Sequence, residues 1–129
     1  MEPTAVITFD DGFQNNNDVA FPILEEKRLP ATIFLTTAFL DTSDTPWFCR
    51  LHRALVSTAQ PSVEWARQKY DLSKPTMRFQ ALCALYAALK RRPYGELIAE
   101  VDRLVVKLGW MPIGHWNQIP LTECSVVTR

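Results

Sequence analysis

The residues best suited to chemistry lie near the start of the chain, in AVITFDDGFQNNND, residues 5–18. Asp10 and Asp11 are adjacent, follow an apolar run and precede Gly12. Two carboxylates so close resist joint ionisation unless a cation or a hydrogen bond separates their roles. A metal does this: one acid ligates and stays charged, while its neighbour acts as base toward a metal-bound water. Successive side chains of a strand point to opposite faces. The pair therefore converges on one site only if the strand ends between them and Gly12 turns the backbone sharply. The same residues also fit a plain Asp-Gly turn or a helix cap. The hairpin form of that turn needs a second strand directly afterwards, and FQNNNDVAFPIL is not one.

The elements that must hold this pair are legible on either side. Ala5-Val6-Ile7-Thr8-Phe9 is continuously β-prone rather than alternating, as expected of a strand covered on both faces in a parallel sheet. The Asn15–Asp18 cluster supplies turn and N-cap chemistry, and a helix is predicted from about Asp18 to Lys27. Leu29-Pro30 breaks it, and Ala31-Thr32-Ile33-Phe34-Leu35 reads as a second strand. Strand, helix and strand make one βαβ unit, whose acids would sit at the carboxyl end of the first strand, where α/β folds build their sites.

Beyond residue 45 the pattern turns helical. Thr45-Pro46 predicts a cap and a first helical proline, followed by an apolar face of Trp47, Phe48, Leu51, Leu55 and Val56. A polar stretch with Gln60-Pro61 and Ser73-Lys74-Pro75 separates it from a second helix, whose face is Phe79, Leu82, Cys83, Tyr86 and Leu89. Pro93 ends that helix. A third carries Leu97, Ile98, Val101, Leu104, Val105 and Leu108, and is stopped by Gly109. The predicted organisation is one partial domain over 1–129: a βαβ unit at 5–37, a helical insertion at 46–109 and an irregular tail at 110–129.

With 129 residues, 47% of them hydrophobic, the chain has the size and apolar content of one domain. Fourteen basic and fourteen acidic residues cancel, which argues against nucleic acid or an anionic membrane as partner. Lys90-Arg91-Arg92 falls where a helix should end, a position favoured by the helix dipole. Cys49, Cys83 and Cys124 are too scattered for a disulfide framework. Cys49 and Cys83 read as small core residues. No signal peptide or membrane-length apolar run is visible, so the expected location is cytoplasmic.

TFDDG at the end of a first strand resembles the first motif of the polysaccharide deacetylases, carbohydrate esterase family 4. The likeness continues through AFPILEEKRLPATIFLTTAFLD, and the helices from PWFCRLHRAL to about HWNQI resemble a helical insertion that some members carry. The resemblance covers roughly residues 5 to 119, and its specific parts are TFDDG and PATIFLTT. It implies an α/β fold, the N-terminal fragment of a distorted (β/α) barrel, and a hydrolase that deacetylates N-acetylated carbohydrate with a divalent metal, usually zinc. By motif, Asp10 would be the general base and Asp11 the metal ligand. A metal-bound water would attack the acetamide carbonyl, with the metal stabilising the oxyanion.

The family's second motif, His-(Ser/Thr)-x-x-His, has no counterpart. The chain holds His52 and His115, and neither has a partner at that spacing. His52 reads as the rim of a packed helix face; His115 stands in the tail. Catalytic zinc usually takes three protein ligands, so the chain is expected to be incomplete and inactive by itself. The tail LTECSVVTR is consistent with a frameshift or stop shortly before that motif.

Two other readings compete. A non-catalytic module would use the helical block to bind a partner, with Trp47, Phe48, Trp65 and Tyr70 as anchors. A phosphoryl-transfer domain would also place acids after strand one, but its phosphatase form spaces them Asp-x-Asp. Its receiver form needs a second strand-end Asp, for which Asp41 is the nearest candidate.

Overall fold

Ile7–Phe9 forms β1 in the computed structural model, which describes residues 4–39 and 44–110. The described residues divide into two compact units that meet in sequence at Thr45 and Pro46.

In the first unit, a short π-helical segment, Asn16–Ala20, runs directly into α1, Phe21–Lys27. Pro22 is the second residue of α1, close to the junction with the π-helical segment. Arg28 takes a left-handed φ of 53° and ends the helix, with the Leu29 amide donating back to the Leu24 carbonyl at 2.9 Å. Ala31–Ile33 forms β2, parallel to β1 in the register Ile7↔Ala31, Thr8↔Thr32 and Phe9↔Ile33. The Phe34 amide extends the ladder to the Phe9 carbonyl at 2.8 Å. A 3₁₀ turn at Thr37–Phe39 follows.

The second unit contains α2 (Trp47–Ser57), β3 (Ser62–Trp65), β4 (Gln68–Asp71), α3 (Pro75–Leu89) and α4 (Tyr94–Lys107). β3 and β4 form an antiparallel hairpin, pairing Val63 with Tyr70 and Trp65 with Gln68. The reading of this stretch as a polar connection is corrected here: the insertion is mixed, with a hairpin between its helices. Ala66 and Arg67 close the hairpin at φ values of 50° and 64°, as a two-residue primed turn requires. Val63, Trp65 and Tyr70 then face the core at the strand period of two.

That core is built from Leu51 and Leu55 of α2, Leu85 and Leu89 of α3, and Val101, Leu104 and Val105 of α4, all essentially inaccessible. Each such side chain contributes roughly 1.5–3 kcal/mol by leaving water. α4 ends as its sequence demands. Gly109 adopts φ 77°, its amide meets the Val106 carbonyl at 2.9 Å, and the Trp110 amide meets the Val105 carbonyl at 3.0 Å. These are the two bonds of a Schellman cap.

Three further expectations need correction. Thr45 makes no capping bond; Pro46 takes the N-cap position of α2, and the buried Thr45 hydroxyl has no partner among the described residues. On α3, Leu89 is buried and Leu82 and Tyr86 pack against the core as expected, but Phe79 and Cys83 are exposed, and Ala81 and Leu85 are buried in addition. Val56 is likewise exposed on α2. Cys49 is buried, as expected. Asp41, His115, Cys124 and the tail 111–129 lie outside the described residues. Among the described residues, no helix is long and apolar enough to cross a membrane.

Candidate active site

β1 ends at Phe9, so both acids lie just beyond the strand, not astride its end. Asp11 has φ 68° and Gly12 φ 68°, two successive left-handed residues that reverse the chain. Asp tolerates this region better than most residues because its short polar side chain can bond locally. Gly12 has a second reason to lack a side chain: a Cβ there would stand 2.3 Å from Leu35 Cδ2. The loop after β1 therefore lies tight against the end of β2.

This close approach fixes one of the two carboxylates. Thr36, just past β2, donates its hydroxyl to Asp11 Oδ1 at 3.1 Å. Asp11 is half-buried, whereas Asp10 is exposed and makes no hydrogen bond or ion pair with the described residues. The adjacent acids thus have different surroundings, as a division of labour requires. One oxygen of Asp11 is oriented by a neutral donor, and its other lone pairs remain for a cation or water. Asp10 stays open to solvent and to whatever enters from it.

Asn16, at the start of the π-helical segment, is 8% exposed, and its side-chain Nδ2 has no partner among the described residues. Its backbone amide closes a turn onto the Phe13 carbonyl at 2.9 Å. Buried polar atoms are ordinarily satisfied, so Asn16 is a second polar group beside the acidic turn in sequence whose burial local packing does not explain. Sequence reasoning treated it only as turn chemistry. The helix-capping role predicted for Asn15–Asp18 is not seen: no side chain caps the segment, and Asp18 instead accepts from Gln14 and Asn17, each at 2.8 Å.

Among the described residues, no group of three or more His, Cys, Asp or Glu side chains could hold a metal ion. Asp11 offers one oriented carboxylate. Asp10 is its neighbour in the chain, and no described histidine belongs to the first unit. This donor set does not fit a catalytic zinc, which usually takes three protein ligands. His52 is exposed on α2, in the second unit, beside the buried Leu51 and Leu55. Of the anchors required by a partner-binding module, Trp65 and Tyr70 are buried in the core, and Trp47 packs edge-on against Tyr86 at a centroid distance of 5.4 Å. None of these three is displayed as an interface anchor would be.

The geometry seen here is an acidic turn at the carboxyl end of a parallel strand, backed by a threonine just past the next strand. No curated protein and no solved structure matches the chain. The family model for polysaccharide deacetylase matches residues 1–113, spanning the acidic turn, both parallel strands and the whole described part of the second unit. On that match, the chain belongs to the polysaccharide deacetylase family.

Proposed function

We propose that the chain carries the opening part of a metal-dependent site that removes acetyl groups from N-acetylated sugars. Family membership supports a deacetylase-type hydrolase acting on carbohydrate. The observation that carries the finer reading is the unequal treatment of the two acids. Asp11, oriented by Thr36, suits a fixed ligand; exposed Asp10 suits a base that must exchange its proton with solvent.

In a completed site, Asp11 would contribute one ligand to a divalent metal, and that metal would supply Lewis-acid chemistry toward the acetamide. The described residues do not complete that site, so only their own contributions can be derived. Asp11 holds its carboxylate still. Gly12 lets the loop pass under Leu35 without displacing it. Asp10 remains free to accept a proton. We infer that the remaining ligands come from outside the described residues, and that the isolated chain is inactive.

The barrel reading draws support from the first unit. β2 is exposed at all three positions, and Ile33, Phe34 and Leu35 are among its exposed apolar residues and those just beyond. Parallel sheets are normally covered on both faces, and two strands rarely stand alone. Further strands and helices of a (β/α) barrel would cover this surface.

The test is a calorimetric zinc titration of the chain beside Asp11→Ala, with acetate release from N-acetylglucosamine oligomers measured in parallel. The expected result is weak zinc binding that disappears in Asp11→Ala, and no acetate release. Zinc binding unchanged by Asp11→Ala would remove Asp11 from the ligand role. Acetate release that survives Asp10→Asn would remove Asp10 from the base role.

A further inference from the structure

We propose that the groove between α2 and α3 in the second unit binds a medium-chain fatty carboxylate. This inference rests on the second unit alone and does not depend on the acidic turn.

The groove encloses about 500 Å³, within the range of small-molecule sites. Its walls include Leu55 and Val56 of α2 with Phe79 and Leu82 of α3. Val56 is 57% and Phe79 65% exposed, so two large apolar side chains flank the opening without closing it. Exposed apolar surface gathered around a concavity is characteristic of ligand grooves. A chain of CH₂ groups laid there gains about 0.8 kcal/mol for each one buried.

The charge of the groove selects the head group. Its polar lining includes His52 and Arg78, and no carboxylate among the described residues lines it. Arg78 is held in place by backbone: Nε donates to the Leu72 carbonyl at 2.8 Å, and Nη1 donates to the carbonyls of Leu55, at 3.3 Å, and Val56. It forms no ion pair with any described residue. Nη1 thereby closes the C-terminal turn of α2, and Nε ties Leu72, at the end of the hairpin, to α3. These bonds do not account for the open apolar groove beside them, nor for the Nη2 donors, which make no hydrogen bond with the described residues. A guanidinium whose plane is already fixed loses little further freedom on pairing with a carboxylate. A cation would be repelled by the same lining, and a neutral chain would gain only from the walls.

The full chain is titrated with octanoate and, separately, octanol, by calorimetry and by ¹⁵N–¹H spectra. Octanoate is expected to bind at least about tenfold more tightly than octanol, the equivalent of about 1.4 kcal/mol, with shifts centred on Phe79 and Arg78. Val56→Glu puts an acid on the lip at an exposed position. It should weaken octanoate about tenfold or more, while circular dichroism stays that of the parent. Phe79→Ala should weaken both ligands alike. Equal affinity for octanol and octanoate would overturn the proposal. So would an octanoate affinity indifferent to Val56→Glu, shifts confined to other residues, or no binding of either ligand.

Discussion

The two units of this chain solve opposite problems. The second builds a core of large side chains: eight of them, from Leu51 to Val105, are essentially inaccessible, while Val56, Phe79, Tyr94 and Val106 stay exposed. The first shows its large side chains. Val6, Val19, Phe21, Ile23, Leu29, Ile33, Phe34 and Leu35 are all exposed, and only Gly12, Asn16 and Thr45 are buried among its described residues. Yet the residues proposed for catalysis, Asp10 and Asp11, belong to the exposed unit. A site at a strand end needs only local geometry to place its acids; a core needs several elements that meet. The comparison teaches that an acidic turn can be held in a defined geometry in a unit with few buried side chains among its described residues.

The contrast is broken or sharpened most strongly by matched truncations. Leu104→Ala should cost about 2–5 kcal/mol in urea unfolding followed by tryptophan fluorescence, because the cavity sits among α2, α3 and α4 side chains. Ile33→Ala, at an exposed strand position, should cost within about 0.5 kcal/mol. Equal costs would show that the first unit has a hidden core and would undo the comparison. Gly12→Val comes next. A β-branched residue at φ 68° with its Cβ against Leu35 costs on the order of 1–3 kcal/mol of local strain. Its amide spectrum should change over residues 9–13 and 34–36, with the second unit untouched.

A smaller effect separates two threonines. Thr58 donates to the Leu108 carbonyl at 2.7 Å and accepts from the Gln60 amide at 3.0 Å, tying the end of α2 to the end of α4. Thr58→Val leaves that carbonyl buried and unpaired, and should cost about 1–3 kcal/mol of stability. Thr36→Val loses one part-buried bond to Asp11, so about 1 kcal/mol or less is expected in stability. Its signature should be weaker zinc binding in the titration of the acidic turn. A stability loss as large as that of Thr58→Val would mean Thr36 is structural.

The smallest effect is one of pH. The Trp65 indole N–H bonded to Glu100 at 2.8 Å, with Arg103 and Arg92 nearby, holds the Glu100 carboxyl below its ordinary 4.5. A lowered folded value means that the ionised acid stabilises the fold above 4.5, and that this is lost as pH falls through the folded value. Glu100→Gln should therefore flatten the acid limb of stability below about pH 4.5. An acid limb unchanged in slope would show that the indole contact does not select the ionised form.

Several boundaries were legible because their causes are local. Pro93 separates α3 from α4, Gly109 ends α4 through its left-handed φ, and Leu29-Pro30 divides α1 from β2. The hairpin was not legible. Its turn residues, Ala66 and Arg67, carry none of the Asn-Gly signal that normally announces positive φ at both positions, and its strands hold only four residues each. The inward face of α3 was legible only in part: Leu82, Tyr86 and Leu89 pack on the core, whereas Phe79 and Cys83 do not. Phe79, Leu82, Cys83, Leu85 and Tyr86 surround the helix with apolar groups, so periodicity alone does not choose a side. Packing against α2 and the core chooses Ala81, Leu85 and Leu89.

By itself the sequence determined the acids, the glycine that lets the chain turn beside them, and the strand–helix–strand order around them. Each depends on sterics and hydrogen bonding within a few residues. Tertiary structure decided the rest. Thr36 meets Asp11 across 25 positions of sequence, and Thr58 meets Leu108 across 50. Such pairs exist only once strand register and helix packing bring distant segments together, and no local pattern encodes the register. The acidic pair could be read as chemistry from its spacing; its division into one oriented and one open carboxylate came from a residue just past the neighbouring strand.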